Sequence, residues 1–297
     1  MTKNPPPRGD PNLAMRSWLF APANHPRHVA KVLSCGADCA ILDLEDAVAA
    51  SEKVAARAAA AQAIRQAARP LFIRINALET RHALADLEAV VAGGLHGIVL
   101  PMTQGPEDIA TVDWVLTQLE QARGLVQRAI EVLPIIETAR GLAAADAIAA
   151  RGGRVKRLAF GAGDFVHDLD MEWTPHEQEL LFARSRIAVA SRAAGLAAPI
   201  DTAHVNIADV DWLQRSARQV RTLGFGGKFC IHPTQVALVN GVFTPSDEEV
   251  ARAQRIVDAF ERAEAEGRAA IRVDGSFVDY PIVYRASQVL QRRRVAG

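Results

Sequence analysis

Two carboxylates, Glu137 and Asp164, close two consecutive apolar segments, Ile130–Glu137 (IEVLPIIE) and Leu158–Asp164 (LAFGAGD). If both segments are strands, neighbours lie about 4.8 Å apart, so both acids can reach one ion. Two carboxylates with several open positions suit Mg²⁺, which keeps waters and takes substrate oxygens. No His/Cys cluster competes for a softer metal. Taken singly, each acid would be read as a cap on the helix that follows. Other charges end neighbouring apolar runs, however: Asp43, Glu45 and Asp46 after one, Arg74 and Asn76 in the next. Residues two apart on a strand point the same way, which pairs Asp43 with Glu45 and Arg74 with Asn76. Arg74 stands inside Leu71-Phe72-Ile73-Arg74-Ile75, where an unpaired guanidinium would be very costly. Its partner is either Asp43 or Glu45 in a structural ion pair, or a substrate carboxylate that it clamps while stabilising developing negative charge.

These residues need a scaffold that brings strand ends together. Apolar runs alternate with helical patterns eight times over roughly 230 residues, which implies parallel strands. The strands are expected at Ser17–Ala23, Cys39–Glu45, Leu71–Ala77, Gly97–Met102, Ile130–Glu137, Leu158–Asp164, Ala197–Ala203 and Lys228–His232. Eight units close a (β/α)8 TIM barrel, whose catalytic groups sit at the C-terminal strand ends. An open doubly wound sheet would carry a glycine-rich loop after the first strand, where this chain has Ala21-Pro22-Ala23-Asn24. The barrel is assigned to residues 15–243. After it, Ser246 with Glu249 forms a capping-box pattern, Asp274-Gly275 is a hairpin turn, and Pro281 opens a last helix. This helix–hairpin–helix extension, residues 244–297, is expected to pack on a neighbouring subunit, because a short hairpin and helix bury little alone. Residues 1–14, with four prolines, read as a disordered tail and not as a signal peptide.

Composition limits the partners. The 297 residues carry 34 basic and 34 acidic groups, a balance that excludes a nucleic-acid or membrane-surface role resting on a basic face. No apolar stretch is long enough to span a bilayer. Cys35, Cys39 and Cys230 form no disulfide framework and suit a reducing compartment, so a cytoplasmic protein is expected. The histidines are scattered, with no H-E-x-x-H pattern. His232 ends the eighth strand, where it can touch a ligand. There is no nucleophile elbow, and Gly161–Asp164 is too short for a dinucleotide loop.

The ordered segments Arg16–Pro22 (RSWLFAP), Asp43–Val48 (DLEDAV), Arg74–Ala77 (RINA), Ile136–Thr138 (IET), Gly161–Asp164 (GAGD), Glu179–Arg184 (ELLFAR), Gly224–Lys228 (GFGGK) and Val278–Pro281 (VDYP) resemble the citrate lyase beta subunit family. Its malyl- and citramalyl-CoA lyase relatives belong to the HpcH/HpaI aldolase superfamily. The resemblance implies a Mg²⁺-dependent carbon–carbon lyase acting on an acyl-CoA or acyl-carrier thioester, and a homo-oligomer, trimer or hexamer. Glu137 and Asp164 match the metal carboxylates and Arg74 the active-site arginine. Asp43 and Glu45 match acids that order the metal's water. Asp279 matches an aspartate delivered into a neighbouring subunit's site. The opening segment, with Phe20 and Pro22, matches the region that receives the thioester arm, with Arg16 as an anion contact.

Two positions depart from the family pattern. Met102 replaces a lysine after the fourth strand, and Gly163 replaces a glutamate before Asp164. They bear on substrate identity more than on reaction class. Two rivals remain: a malyl-CoA-type thioesterase on the same site, and a non-catalytic acyl-CoA-binding barrel.

Overall fold

The computed structural model describes residues 15–296; the expected tail, residues 1–14, lies outside them. Eight parallel strands close a barrel in sequence order, β1 (Ser17–Pro22), β2 (Cys39–Asp43), β3 (Leu71–Arg74), β4 (Gly97–Leu100), β5 (Glu131–Ile136), β6 (Ala159–Phe160), β7 (Ile200–Asp201) and β8 (Gly227–Cys230). Every strand starts within about three residues of its expected place; β1 and β5 end one residue early and the others two to four. The ladder stops where side chains turn to other work. Around the barrel run α1 (Pro26–Ser34), α2 (Lys53–Ile64), α3 (Ala83–Val90), α4 (Pro106–Ala122), α5 (Ala139–Ala143), α6 (Ala145–Ala150), α7 (Ala162–Asp168), α8 (Leu181–Ala193), α9 (Val210–Thr222) and α10 (Pro233–Phe243). None of the described helices is long and apolar enough to cross a membrane.

Side-chain alternation fills the barrel. Trp18, Cys39, Ile41, Phe72, Val99, Leu133, Ile135, Ala159, Ile200 and Phe229 form one interior cluster, with Trp18 and Phe72 rings 4.8 Å apart. Extending the same parity by one step brings Asp43 after Ile41, Arg74 after Phe72 and Glu137 after Ile135. The column that is apolar in the barrel's middle is thus charged at its C-terminal mouth.

The opposite parity faces the helices and carries charge that the sequence did not announce as paired. Asp201 and Lys228 are register partners on β7 and β8, and Lys228 Nζ donates to the Asp201 carboxylate. Arg184 of α8 donates to Asp201 Oδ1 at 2.9 Å and Oδ2 at 3.1 Å, and to Glu177 Oε2 at 2.8 Å. All four charges are buried. Two cations against two anions, with Ser216 Oγ donating to Glu177, satisfy one another between barrel and helix layer. Arg184 and Lys228 close two of the family-like segments, and this is the work they do.

Residues from Gly241 onward form a second unit. α11 (Asp247–Ala265) begins with the expected capping box: Ser246 Oγ accepts from Glu249 N at 3.1 Å, and Glu249 Oε2 accepts from Ser246 N at 2.8 Å. β9 (Ile271–Val273) and β10 (Ser276–Val278) pair antiparallel across Asp274 (φ 49°) and Gly275 (φ 77°), the two positive φ values of a tight hairpin turn. α12 (Tyr280–Ala296) follows. The hairpin and last helix, expected to need another surface for their apolar residues, find one on α11. Val283, Val289 and Leu290 pack against a core built from Ala253, Ile256, Phe260, Val278 and Ala286. α11 supplies the missing face, while Ile282, 38% exposed, and Phe277 stay largely outside.

Replacing Arg184 with Met should strand Asp201 and Glu177 with too little positive charge and cost about 3–5 kcal/mol. Urea unfolding of Arg184→Met against the parent chain measures it.

Candidate active site

The mouth of the barrel is organised by Arg74. Its Nε donates to Asp43 Oδ1 at 2.7 Å and its Nη2 to Asp43 Oδ2 at 2.5 Å, a bidentate pair with Asp43 buried beneath it. Nη1 lies 3.0 Å from Glu45 Oε2 and 3.5 Å from Asp46 Oδ2. The Phe20 ring supports the guanidinium, 5.2 Å from its centroid. The carboxylate fork fixes the guanidinium plane. The ion pair foreseen for Arg74 is therefore present, and its remaining amino group, Nη1, faces Glu45 and Asp46.

Glu137 is buried and accepts a hydrogen bond from Met102 N at 2.6 Å. Met102 adopts left-handed backbone, φ 49°. Gly161 of the next strand end lies against Glu137: a Cβ there would sit 2.8 Å from Glu137 Cβ and closer still to Oε2. Burial pushes the Glu137 carboxyl well above the usual range against the Met102 hydrogen bond, with the charges of Asp164 and Glu45 adding to the rise. Glu45 is pushed up to about 8, first by burial, with Arg74 opposing and Asp46, Asp43 and Asp164 adding. Burial would lower Arg74, but Asp43 and Glu45 raise it. Glu137, Asp164, Glu45 and Arg74 therefore share one electrostatic site.

That site fits a hard divalent cation. Burial first, and then the charges of neighbouring acids, disfavour the ionised form of Glu137 and Glu45, a strain that a cation relieves. The donors are oxygens without thiolate or imidazole, the set expected for Mg²⁺. Among the described residues, no group of three or more His, Cys, Asp or Glu is gathered so as to hold a metal ion, so the ligands offered here are the pair Glu137 and Asp164. Glu137 and Asp164 would thus leave most positions to water and substrate.

Several expected residues fall elsewhere. Asp164 does not end a strand; β6 stops at Phe160, and Asp164 is in the first turn of α7, a helix the sequence pattern did not reveal. It still reaches the cluster because α7 starts at the mouth. Asn76 does not follow Arg74 inward. The strand ends at Arg74, and Asn76 turns to Asp86 and Lys53. Phe20 and Pro22 are at the mouth end of β1, but Arg16 is a correction: it precedes β1 at the opposite end of the barrel. There it forks onto Asp38, with Nε to Oδ2 at 2.8 Å and Nη2 to Oδ1 at 2.9 Å. Gly163 opens onto space. Asp279 lies between β10 and α12 in the second unit.

Comparison with known proteins agrees with the fold. The family model described as HpcH/HpaI aldolase/citrate lyase matches residues 16–233. Citrate lyase subunit beta of Haemophilus influenzae is 35% identical over 285 residues, covering 94% of this chain and 97% of the relative. The L-malyl-CoA/beta-methylmalyl-CoA lyase of Cereibacter sphaeroides is 33% identical, covering 97% and 96%. The crystal structure of the CitE protein of Mycobacterium tuberculosis in complex with magnesium, acetoacetate and coenzyme A superposes with a TM-score of 0.77. It is 32% identical, with 95% of this chain and 99% of that one covered.

The raised carboxyls set a sign for stability against pH. A carboxyl whose folded pKa exceeds its unfolded value binds more protons in the folded state, so stability falls as pH rises between the two. For Glu45 that window runs from the ordinary carboxylate value to about 8. Metal-free protein should lose thermal stability from pH 5 to 8.5, and added Mg²⁺ should restore more of it at pH 8.5 than at pH 5. Glu45→Gln should flatten the metal-free profile in differential scanning calorimetry.

Proposed function

The chain belongs to the HpcH/HpaI aldolase/citrate lyase family, and on that premise we propose that it is a Mg²⁺-dependent carbon–carbon lyase. It cleaves a 3-hydroxyacyl-CoA of the citryl, malyl or citramalyl type to a 2-oxo acid and an acyl-CoA. The observation that carries this reading is the convergence of Glu137, Asp164 and Glu45 with the Asp43-braced Arg74 at one barrel mouth. Relatives named as citrate, malyl-CoA and citramalyl-CoA lyases support the reaction class. The neighbour bound to magnesium and coenzyme A supports the cofactor and the thioester.

Glu137 and Asp164 hold the cation, which when bound serves as Lewis acid and template for the substrate's hydroxyl and adjacent carboxylate. Glu45, ionised once the cation is bound, would receive the hydroxyl proton. The C–O⁻ electron pair then forms the carbonyl of the oxo acid while the C–C bond breaks, leaving its pair on the thioester enolate. Arg74, held by Asp43, stabilises charge on the oxo-acid oxygen. Phe20 and Pro22 line the side on which the thioester arm enters. Asp279 of a neighbouring subunit delivers a proton to the enolate carbon, which requires a homo-oligomer. Three free cysteines accord with a cytoplasmic enzyme.

Screening acyl-CoA thioesters for 2-oxo acid release, with and without Mg²⁺, tests the reading. Metal-dependent release that is lost in Glu137→Ala and Asp164→Ala is expected, whereas thiol release without an oxo acid would make the protein a thioesterase. Arg74→Lys keeps the charge but loses the fork, and kcat should fall by about 10²–10³. For delivery in trans, mixing inactive Asp279→Ala with inactive Glu137→Ala should recover part of the activity after subunit exchange. Absence of recovery removes the trans role.

A further inference from the structure

Behind Glu45 lies a buried cation that the reaction does not touch. Lys53 opens α2 and is 9% exposed. Its Nζ donates to Leu44 O at 2.8 Å, Glu45 O at 3.0 Å and Asn76 Oδ1 at 2.6 Å. An ammonium has three donors, and all three meet neutral oxygens. Burying a cation this way is expensive, so what it holds matters. The β2 ladder ends at Asp43, and the carbonyls of Leu44 and Glu45 lie past it, where a buried acceptor still needs a donor. Lys53 donates to both, beside Asn76 Nδ2 on Leu44 O and Val48 N on Glu45 O.

The anchor is itself anchored. Asn76 Nδ2 donates to Leu44 O at 2.9 Å and to Asp86 Oδ2 at 2.6 Å, and Asn76 N donates to the same Oδ2 at 2.9 Å. Asp86, fully buried, accepts from Arg57 Nε at 2.6 Å. Arg57, Asp86, Asn76 and Lys53 thus run from the α2–α3 layer to the main chain of Glu45. On the other side of that residue, Glu45 N donates to Asp43 Oδ1 at 2.9 Å. Glu45 is clamped at its amide by the carboxylate that holds Arg74, and at its carbonyl by Lys53.

We propose that Lys53 is a positioning residue for the reaction: it fixes the main chain of Glu45, and so aims that carboxylate at Arg74 and the cation site. This rests on the lyase reading for its kinetic consequence, but the anchoring can be measured without turnover. In Lys53→Met, kcat should fall by about 10- to 100-fold, as expected for displacement of a reacting group by an ångström, with KM for the thioester little changed. Mn²⁺ affinity of the metal-free protein, read by electron paramagnetic resonance, should fall, and the amides of residues 45–48 should exchange faster. In a Glu45→Gln background, adding Lys53→Met should change kcat and Mn²⁺ affinity by less than about twofold, the margin expected where two changes act through one group. Aminoethylation of Lys53→Cys, which rebuilds an ammonium there, should restore affinity, with treated parent protein as control. Should Lys53→Met not fold, Asn76→Ala, which removes one of the three oxygens, is put through the same cycle. Parent-like kcat and Mn²⁺ affinity, or effects that add in full to those of Glu45→Gln, would overturn the proposal. If no thioester is cleaved by the parent chain, the lyase reading falls, and the Mn²⁺ and exchange results still decide the anchor.

Discussion

One guanidinium among acids governs the mouth of this barrel. Asp43, Glu45 and Asp46 all lie within ion-pair reach of Arg74, while Glu137 and Asp164 add charge from the other side. Like charges at this density cannot all ionise in a low-dielectric site unless cations answer them. Arg74 answers part of the charge and leaves an excess of acid at the mouth. The helices, turns and buried anchors around the mouth hold these groups still, since each is worth most when it need not reorganise.

Elsewhere the chain resolves buried charge differently. Arg184, Lys228, Asp201 and Glu177 are balanced two against two, and Arg154 meets Glu120 in a bidentate pair with Asp113 at its Nε. These clusters are complete without any ligand. They lie on the outward parity of the strands or between helices, where nothing has to enter. The contrast separates structure from function in physical terms: closed networks hold helices to the barrel, and the open one at the mouth lacks positive charge.

The barrel was legible because strand alternation and helix periodicity repeat eight times, and Asp43, Arg74 and Glu137 were legible as polar residues in an apolar parity. What escaped were residues placed by geometry beyond the ladder. Asp164 enters the site from a helical turn because β6 ends at Phe160. Asn76 turns away because β3 ends at Arg74. Arg16 lies at the far end of β1, since a motif written as one string can span both ends of a strand. Lys53 looked like any lysine on an alanine-rich helix; only its convergence with two main-chain carbonyls distinguishes it. The self-contained core of the second unit was missed because the hairpin and last helix were weighed without α11.

Met102 holds Glu137 through its amide and not through its side chain. Its left-handed backbone costs a fraction of the stability that a glycine would not, yet the carboxylate is oriented by an atom that every residue except proline possesses. The position therefore divides its work between two parts of one residue. Its amide is committed to Glu137, while its side chain takes no part in that hydrogen bond. On the lyase reading, a substitution here that keeps the backbone could alter what the mouth recognises and leave the Glu137 carboxylate oriented as it is.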